Sequence, residues 1–416
     1  MQIIADLHIH SRFSRACSKA ITLESIAKTC EQKGIDLVAT GDFTHPTWFS
    51  EIKSKLMEVA PGVYQLKDKS SPTKFLLATE LSCIYSQGGK TRRLHICVWA
   101  PSISVVEKFN AVLGKVGKLQ SDGRPILGMS AKRLLEISLS VDENILNIPA
   151  HIWTPWFAMF GSKSGFDSIE ECYEELSPNI YAVETGLSSD PAMNWRVKNL
   201  DKVTLVSNSD AHSVNNIGRE ANIFDLIEVS YPQIFSLLKN HETKKFIKTL
   251  EFFPEEGMYH FDGHRSCGVS LKPAQSKKYK NICPKCGKPL VIGVLNRVEE
   301  LASRPENFLD PARVPYQSVI PLKEILANFF ATGDESKRVN EEYTRLISQG
   351  KSEFNILLKL AKKELEAFMP EQLAEGIIRV REGRVELIPG FDGQYGKVKI
   401  FAEEEKIKSR KQAQLF

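Results

Sequence analysis

Ala5-Asp6-Leu7-His8-Ile9-His10-Ser11 closes a strand-like run that begins at Ile3. On an extended chain successive side chains alternate between faces, so His8 and His10 project together from one side. The same reasoning pairs Asp210 with His212 in Ser207-Asn208-Ser209-Asp210-Ala211-His212. Between these two segments, further histidines and carboxylates fall at the predicted strand ends. Asp42 and His45 lie in Ala39-Thr40-Gly41-Asp42-Phe43-Thr44-His45, and Glu80 in Leu77-Ala78-Thr79-Glu80. His95 follows Arg93-Leu94, His151 follows Ile148-Pro149-Ala150, and Glu184 follows Ala182-Val183. One histidine at a strand end usually does no more than satisfy a hydrogen bond. Six of the chain's nine histidines stand at such positions, and two motifs repeat the same spacing, which points to a metal site. Neutral imidazoles and carboxylates suit zinc, manganese or iron, and a carboxylate such as Glu80 can bridge two ions.

The segments carrying these groups recur as short apolar runs at 3–7, 37–40, 74–80, 94–100, 146–150, 181–185 and 204–208, with amphipathic stretches between them. One helix is expected from Thr22 as N-cap to Lys33, stopped by Gly34. Seven repeated strand–helix units imply an α/β fold with a parallel sheet, closed or nearly closed into a barrel over residues 1–230. In such barrels catalytic groups gather at the C-terminal rim of the strands. Residues 231–298 read as a linker and a small metal-binding module, 299–400 as a mainly helical C-terminal domain, and 401–416 as a charged tail. In the C-terminal domain, 377–380 and 384–387 are expected to form a hairpin.

A chain of 416 residues with 42% hydrophobic and 25% charged residues suits two or three globular domains. No apolar run is long enough to span a membrane, and no leader-like segment precedes the first strand, so a cytoplasmic, nucleoid-associated location is expected. The net charge of +4 decides nothing, but its distribution does. Between Asp262 and Glu299 there are eight Lys or Arg residues and no acid, Lys277, Lys278 and Lys280 among them, which is better explained by phosphate contacts than by a solvated face. The same stretch holds His264-x2-Cys267 and Cys283-x2-Cys286, four ligands able to close a tetrahedral structural zinc site; His260 is an alternative to His264. Cys17, Cys30, Cys83, Cys97 and Cys172 sit among apolar neighbours and read as packing residues. Trp153, Trp156, Phe157 and Phe160, followed by Ser162, Lys163 and Ser164, either pack in a helix or wall a pocket that stacks on a base.

The ordered motifs resemble those of the PHP (polymerase and histidinol phosphatase) superfamily. That resemblance implies a distorted seven-stranded (βα) barrel with two or three divalent ions, Zn, Mg or Mn. It makes His8, His10, Glu80, His95, His151, Asp210 and His212 ligands, with Glu80 bridging. Asp42 aligns as a further ligand, and His45 as a ligand or the partner of one. Glu184 stands where a ligand or general base occurs, so Asp42, Glu184, Asp210 and His212 are the catalytic candidates; Asp6 is expected to orient an imidazole. With the 151–168 passage, the cysteine-rich insert and the Gly293-Val294-Leu295-Asn296-Arg297 continuation, residues 1–400 are similar to the endonuclease Q family. Membership would imply DNA repair by nicking 5′ of deaminated bases (uracil, hypoxanthine, xanthine) and of abasic sites. A phosphatase for a small phosphorylated metabolite is the alternative, and a metal-stabilised binding module without catalysis a third. Gln412-Ala413-Gln414-Leu415 begins like the motif by which repair enzymes dock on the sliding clamp.

Overall fold

The structure is a computed structural model and describes residues 1–402; the clamp-like segment lies outside the described residues. Strand Gln2–Asp6 is buried from Ile3 onward and occupies the middle of an eight-stranded sheet. It pairs parallel to Leu37–Ala39 and antiparallel to Ala221–Asp225. Leu37–Ala39 continues the parallel run into Lys74–Leu76. A second sheet of four strands contains the long hairpin of Ala78–Gln87 and Lys90–Trp99, flanked by Ile126–Leu127 and Leu146–Pro149. A third pairs Ala182–Glu184 with Thr204–Val206 in parallel.

Hydrogen bonds between the sheets lead from one to the next. The Ala100 amide donates to the Leu77 carbonyl, that of Ile152 to Glu184, and that of His10 to Ala211, each near 3.0 Å. All seven expected runs are strands, but the expectation of a wholly parallel sheet is corrected. Lys90–Trp99 runs antiparallel to both neighbours, because a two-residue turn at Gly88-Gly89 folds the chain straight back in place of a helical crossover. His95 therefore lies within a strand, not at its end.

Helix Leu23–Lys33 forms as its signals require: Thr22 Oγ1 accepts from the Ser25 amide and Gly34 takes φ 81°. One large apolar core underlies the three sheets. A second core, built on Ile325, Leu346, Leu373 and Ile377, unites the helices of the C-terminal region, and a third, small one of Val269, Cys283 and Leu290 supports the cysteine-rich insert. The expected hairpin at 377–387 is corrected. Ile377–Val380 belongs to helix Glu371–Arg381, because Leu373, Ala374, Ile377 and Val380 recur at helical spacing and all bury. Strand Glu386–Ile388 instead pairs with Lys397–Lys399. Among the described residues no helix is long and apolar enough to cross a membrane.

Candidate metal centre

The segment Leu7-His8-Ile9-His10, which follows strand Gln2–Asp6, delivers both imidazoles to the middle of the molecule, where they are almost fully buried. Each ring is held from behind by a carboxylate. His8 Nδ1 lies 2.9 Å from Glu184, and His10 Nδ1 lies 3.0 Å from Asp42. Each therefore turns Nε2 inward. His10 Nε2 is 3.2 Å from Glu80 and 3.1 Å from Asp210; His8 Nε2 is 3.7 Å from Glu80 and 3.6 Å from Asp210 and has no hydrogen-bond partner. On the other side of Glu80, Oε1 lies 3.0 Å from His95 and 3.2 Å from His151. Two donor sets result, His8–His10–Glu80–Asp210 and Glu80–His95–His151, each with its atoms within 4.8 Å of one another. Glu80 belongs to both, as a bridging carboxylate would.

The electrostatics of the two sets fit cations. Burial would depress the His10 imidazole, but the negative charges of Asp42, Asp210 and Glu80 outweigh it and hold the pKa raised. Burial likewise opposes ionisation of Asp210, yet the His10 hydrogen bond and the charge of His8 keep the carboxyl well below its ordinary range. His95 is pushed down by burial to about 4 and is neutral, the form in which imidazole ligates. An orphaned buried nitrogen at His8, two ionised carboxylates and neutral His95 are a donor set that divalent ions satisfy. Asp42, His151 and Asp210 all take positive φ, at 46°, 30° and 47°, a concentration of unfavourable backbone that marks a functional site.

Several expected residues stand elsewhere. Asp42 faces away from the inner atoms: its carboxylate accepts from the Ser11 amide at 2.7 Å, the Ser11 hydroxyl at 2.6 Å and the Ser14 hydroxyl at 2.8 Å. It is placed to orient His10 rather than to ligate. His45 is drawn away by local structure, capping helix Pro46–Lys55 and stacking on Phe13. His212 turns Nδ1 to the Asp210 carbonyl at 2.8 Å and leaves its ring at the mouth, 4.5 Å from that of His10. Among the described residues Asp6 makes no ion pair with an imidazole. It accepts the amides of Ser209 and Gly218, tying the Asp210 segment to the first strand, and burial pushes its carboxyl up to about 6.

Two contributors escape sequence reasoning. Arg124 reaches in from a loop and places Nη1 2.8 Å from Glu80. A side chain at Gly123 would collide with Asp42 and Ser14, so the absence of a Cβ there lets this loop close on the site. Cys97, expected to be mere packing, lies 3.9 Å from Glu184 and shares a third donor set with it and His8.

The aromatic passage divides. Trp153 and Phe160 are core residues, the Trp153 indole donating 2.7 Å to Asn194, so Trp153 walls no open pocket. Ser164 is buried and donates to the Arg93 carbonyl. Trp156 is partly exposed against Tyr259, Phe157 lies 4.7 Å from the His95 ring, and Lys163 is exposed. In the insert, His264, Cys267, Cys283 and Cys286 converge within 4.8 Å, and His260 is buried apart from them. Lys277, Lys278 and Lys280 are exposed there. Arg297 is buried, donating to the carbonyls of Phe160 and Phe166, so it does not share in that surface charge.

A crystal structure of the lesion-specific endonuclease PfuEndoQ from Pyrococcus furiosus matches with a TM-score of 0.86 and 30% identity, over 97% of this chain and 96% of that one. The chain belongs to the endonuclease Q family. Endonuclease Q bound to a 27-mer duplex with an abasic lesion at the active site matches equally well, at TM-score 0.85 and 30% identity over 97% and 98% of the two chains. Protein YqxK of Bacillus subtilis (strain 168) is 30% identical, covering 96% of this chain and 99% of its own. A family model described as the MJ0043 C-terminal domain matches residues 321–384, the helices around the second core of this endonuclease Q relative.

Proposed function

We propose that this chain is a metal-dependent DNA endonuclease that nicks the strand 5′ of deaminated bases (uracil, hypoxanthine, xanthine) and of abasic sites. The observation that carries the reading is the convergence of His8, His10, His95 and His151 from distant stretches of chain onto the Glu80 carboxylate, with Asp210 beside His8 and His10. Family membership supports the substrate class, since a relative similar over nearly the whole chain is seen with abasic duplex DNA. In this reading the strands around the centre form a distorted seven-stranded (βα) barrel of the PHP type over 1–230, followed by a zinc module within 231–298 and a helical domain over 299–400.

The two donor sets that share Glu80 are suited to two divalent ions. When bound, such ions lower the pKa of a water and neutralise charge on the attacking and leaving oxygens. Asp42 and Glu184 fix the tautomer and direction of His10 and His8. His212, its pKa lowered by burial despite the charge of Asp210, is neutral at the mouth and can ligate or hold a proton. Arg124 offers positive charge beside Glu80. His264, Cys267, Cys283 and Cys286 hold one structural zinc, and Lys277, Lys278 and Lys280 present that module to DNA phosphates.

The test is direct. The protein is incubated with Mg²⁺, Mn²⁺ or Zn²⁺ and with a uracil-containing duplex, an abasic duplex, an undamaged duplex and a generic phosphate monoester. Nicking confined to the two damaged duplexes is expected. Turnover of the monoester alone would instead make the chain a metabolite phosphatase, and inertness towards all four would make it a binding module.

A further inference from the structure

Beside the metal centre the surface opens into a basin of about 840 Å³, walled on its inner side by His95, Phe157 and Arg124. Its outer rim carries Lys115, Val116 and Lys118, from the turn that ends helix Ile103–Leu113, together with Ile126. Val116 is 56% exposed and Ile126 63% exposed. A scattered exposed aliphatic residue means little, but two on the rim of one basin that opens onto the metal site form a pattern.

Neither tip is on loose chain. The amides of Gly114, Lys115, Val116 and Gly117 donate back to the carbonyls of Asn110, Val112 and Leu113. Gly117 packs so closely on Leu127 that a Cβ there would stand 2.5 Å from a Leu127 methyl carbon. Ile126 is held in register opposite Ser82, while its neighbour Leu127 is fully buried. Lys115 and Lys118 are exposed on either side of Val116. The rim thus presents apolar tips at fixed positions between cations.

We propose that Val116 and Ile126 form a wedge that enters duplex DNA beside the lesion. The displaced nucleotide would lie in the basin and its phosphodiester would face the metal centre. The inference rests on the endonuclease reading. Apolar side chains inserted between base steps are a known way to hold a duplex unstacked, and extruding a nucleotide costs a few kcal/mol that such a side chain offsets. Lys115 and Lys118 flank the point of entry, where the phosphate backbones run. The volume of the basin accommodates a nucleotide, and Phe157 brings aromatic surface to its inner wall.

The experiment compares the intact protein with the double variant Val116→Gly/Ile126→Ser and with the conservative Val116→Leu. An abasic lesion is offered in a duplex, in an unpaired bubble and in a single strand. Duplex nicking by the double variant should fall about tenfold or more, the loss expected when unstacking of a few kcal/mol goes unassisted. Bubble and single-strand nicking should fall by much less, and Val116→Leu should keep duplex nicking. Independently of turnover, 2-aminopurine placed next to the lesion should brighten on binding of the intact protein with Ca²⁺ and brighten far less with the double variant. Equal losses on the three substrates, no loss on any, or undiminished fluorescence overturns the wedge alone. If the intact protein nicks none of them, the endonuclease reading falls and the wedge with it.

Discussion

Asp42 and Glu184 show how much of this site depends on residues that face away from its centre. Each sits on the Nδ1 side of an imidazole and thereby decides that Nε2 points inward. Carboxylates in that position raise ligand basicity, and their loss typically costs about tenfold to a hundredfold in metal affinity or activity. Asp42→Asn is therefore expected to weaken metal binding by about that factor, read by titration with Mn²⁺ or Zn²⁺ and by the nicking rate. A loss under about threefold would mean that His10 is held by other contacts. Gly123 is a second case. Because any side chain there meets Asp42 and Ser14, Gly123→Ala should displace the loop that carries Arg124. Nicking is expected to drop with little change in melting temperature; unchanged nicking would remove Arg124 from the account. The sequence discloses His8 and His10 through their spacing, since period two is a backbone property. It does not disclose which ring nitrogen faces inward, so Asp42 was indistinguishable from a ligand. Arg124, a lone cation in a loop with no pattern around it, leaves no trace that spacing could catch.

Short elements carry the weight of the cysteine-rich insert. Its two close pairs come from strand Asp262–His264 with the turn after it, and from the turn at Cys283–Gly287, over an apolar cluster of only three buried residues. A core so small does little to hold those loops, so in the proposed reading a bound zinc would supply much of their folding free energy. Cys283→Ser is expected to lower bound zinc by about one equivalent and make residues around 262–290 protease-sensitive, while the ions of the large centre stay bound. Elemental analysis and limited proteolysis read both effects; retention of full zinc would exclude this ligand set. The convergence of His264, Cys267, Cys283 and Cys286 is legible because their spacing is local. A hairpin at Ile377–Val380 is not borne out because Ile377, Ile378 and Val380 shortly before Gly383 satisfy a strand as well as a helix; only the longer run from Leu373 settles the period. The expectation of His95 at a strand end fails because a tight hairpin cannot be told from a crossover by apolar runs alone.

At the scale of the molecule, the large core encloses two carboxyls, Glu251 and Glu220, that form no ion pair among the described residues. Glu251 accepts from Ser207 at 3.0 Å and Thr185 at 3.1 Å, and one of its oxygens has no partner. Burial pushes its carboxyl up to about 8, and Glu220, buried with it, is raised by burial and by the charge of Glu251. Between the ordinary glutamate value and about 8, the unfolded chain has released this proton and the folded one retains it. Stability therefore falls as pH rises through that window, by about 1.4 kcal/mol per pH unit for one such group. Glu251→Gln removes that slope, so its stability relative to the parent should grow between pH 6 and 8, measured by urea unfolding. A constant difference would show that Glu251 is ionised in the folded protein.

The first strand lies between partners separated from it by about thirty and by more than two hundred residues, and the inner donors run from His8 to Asp210. A ribosome that has released both early histidines must still synthesise most of the sheet region before the last carboxylate emerges. The nascent chain therefore cannot assemble the full centre until that region is complete, and a fragment ended early by premature termination lacks a competent cutting site.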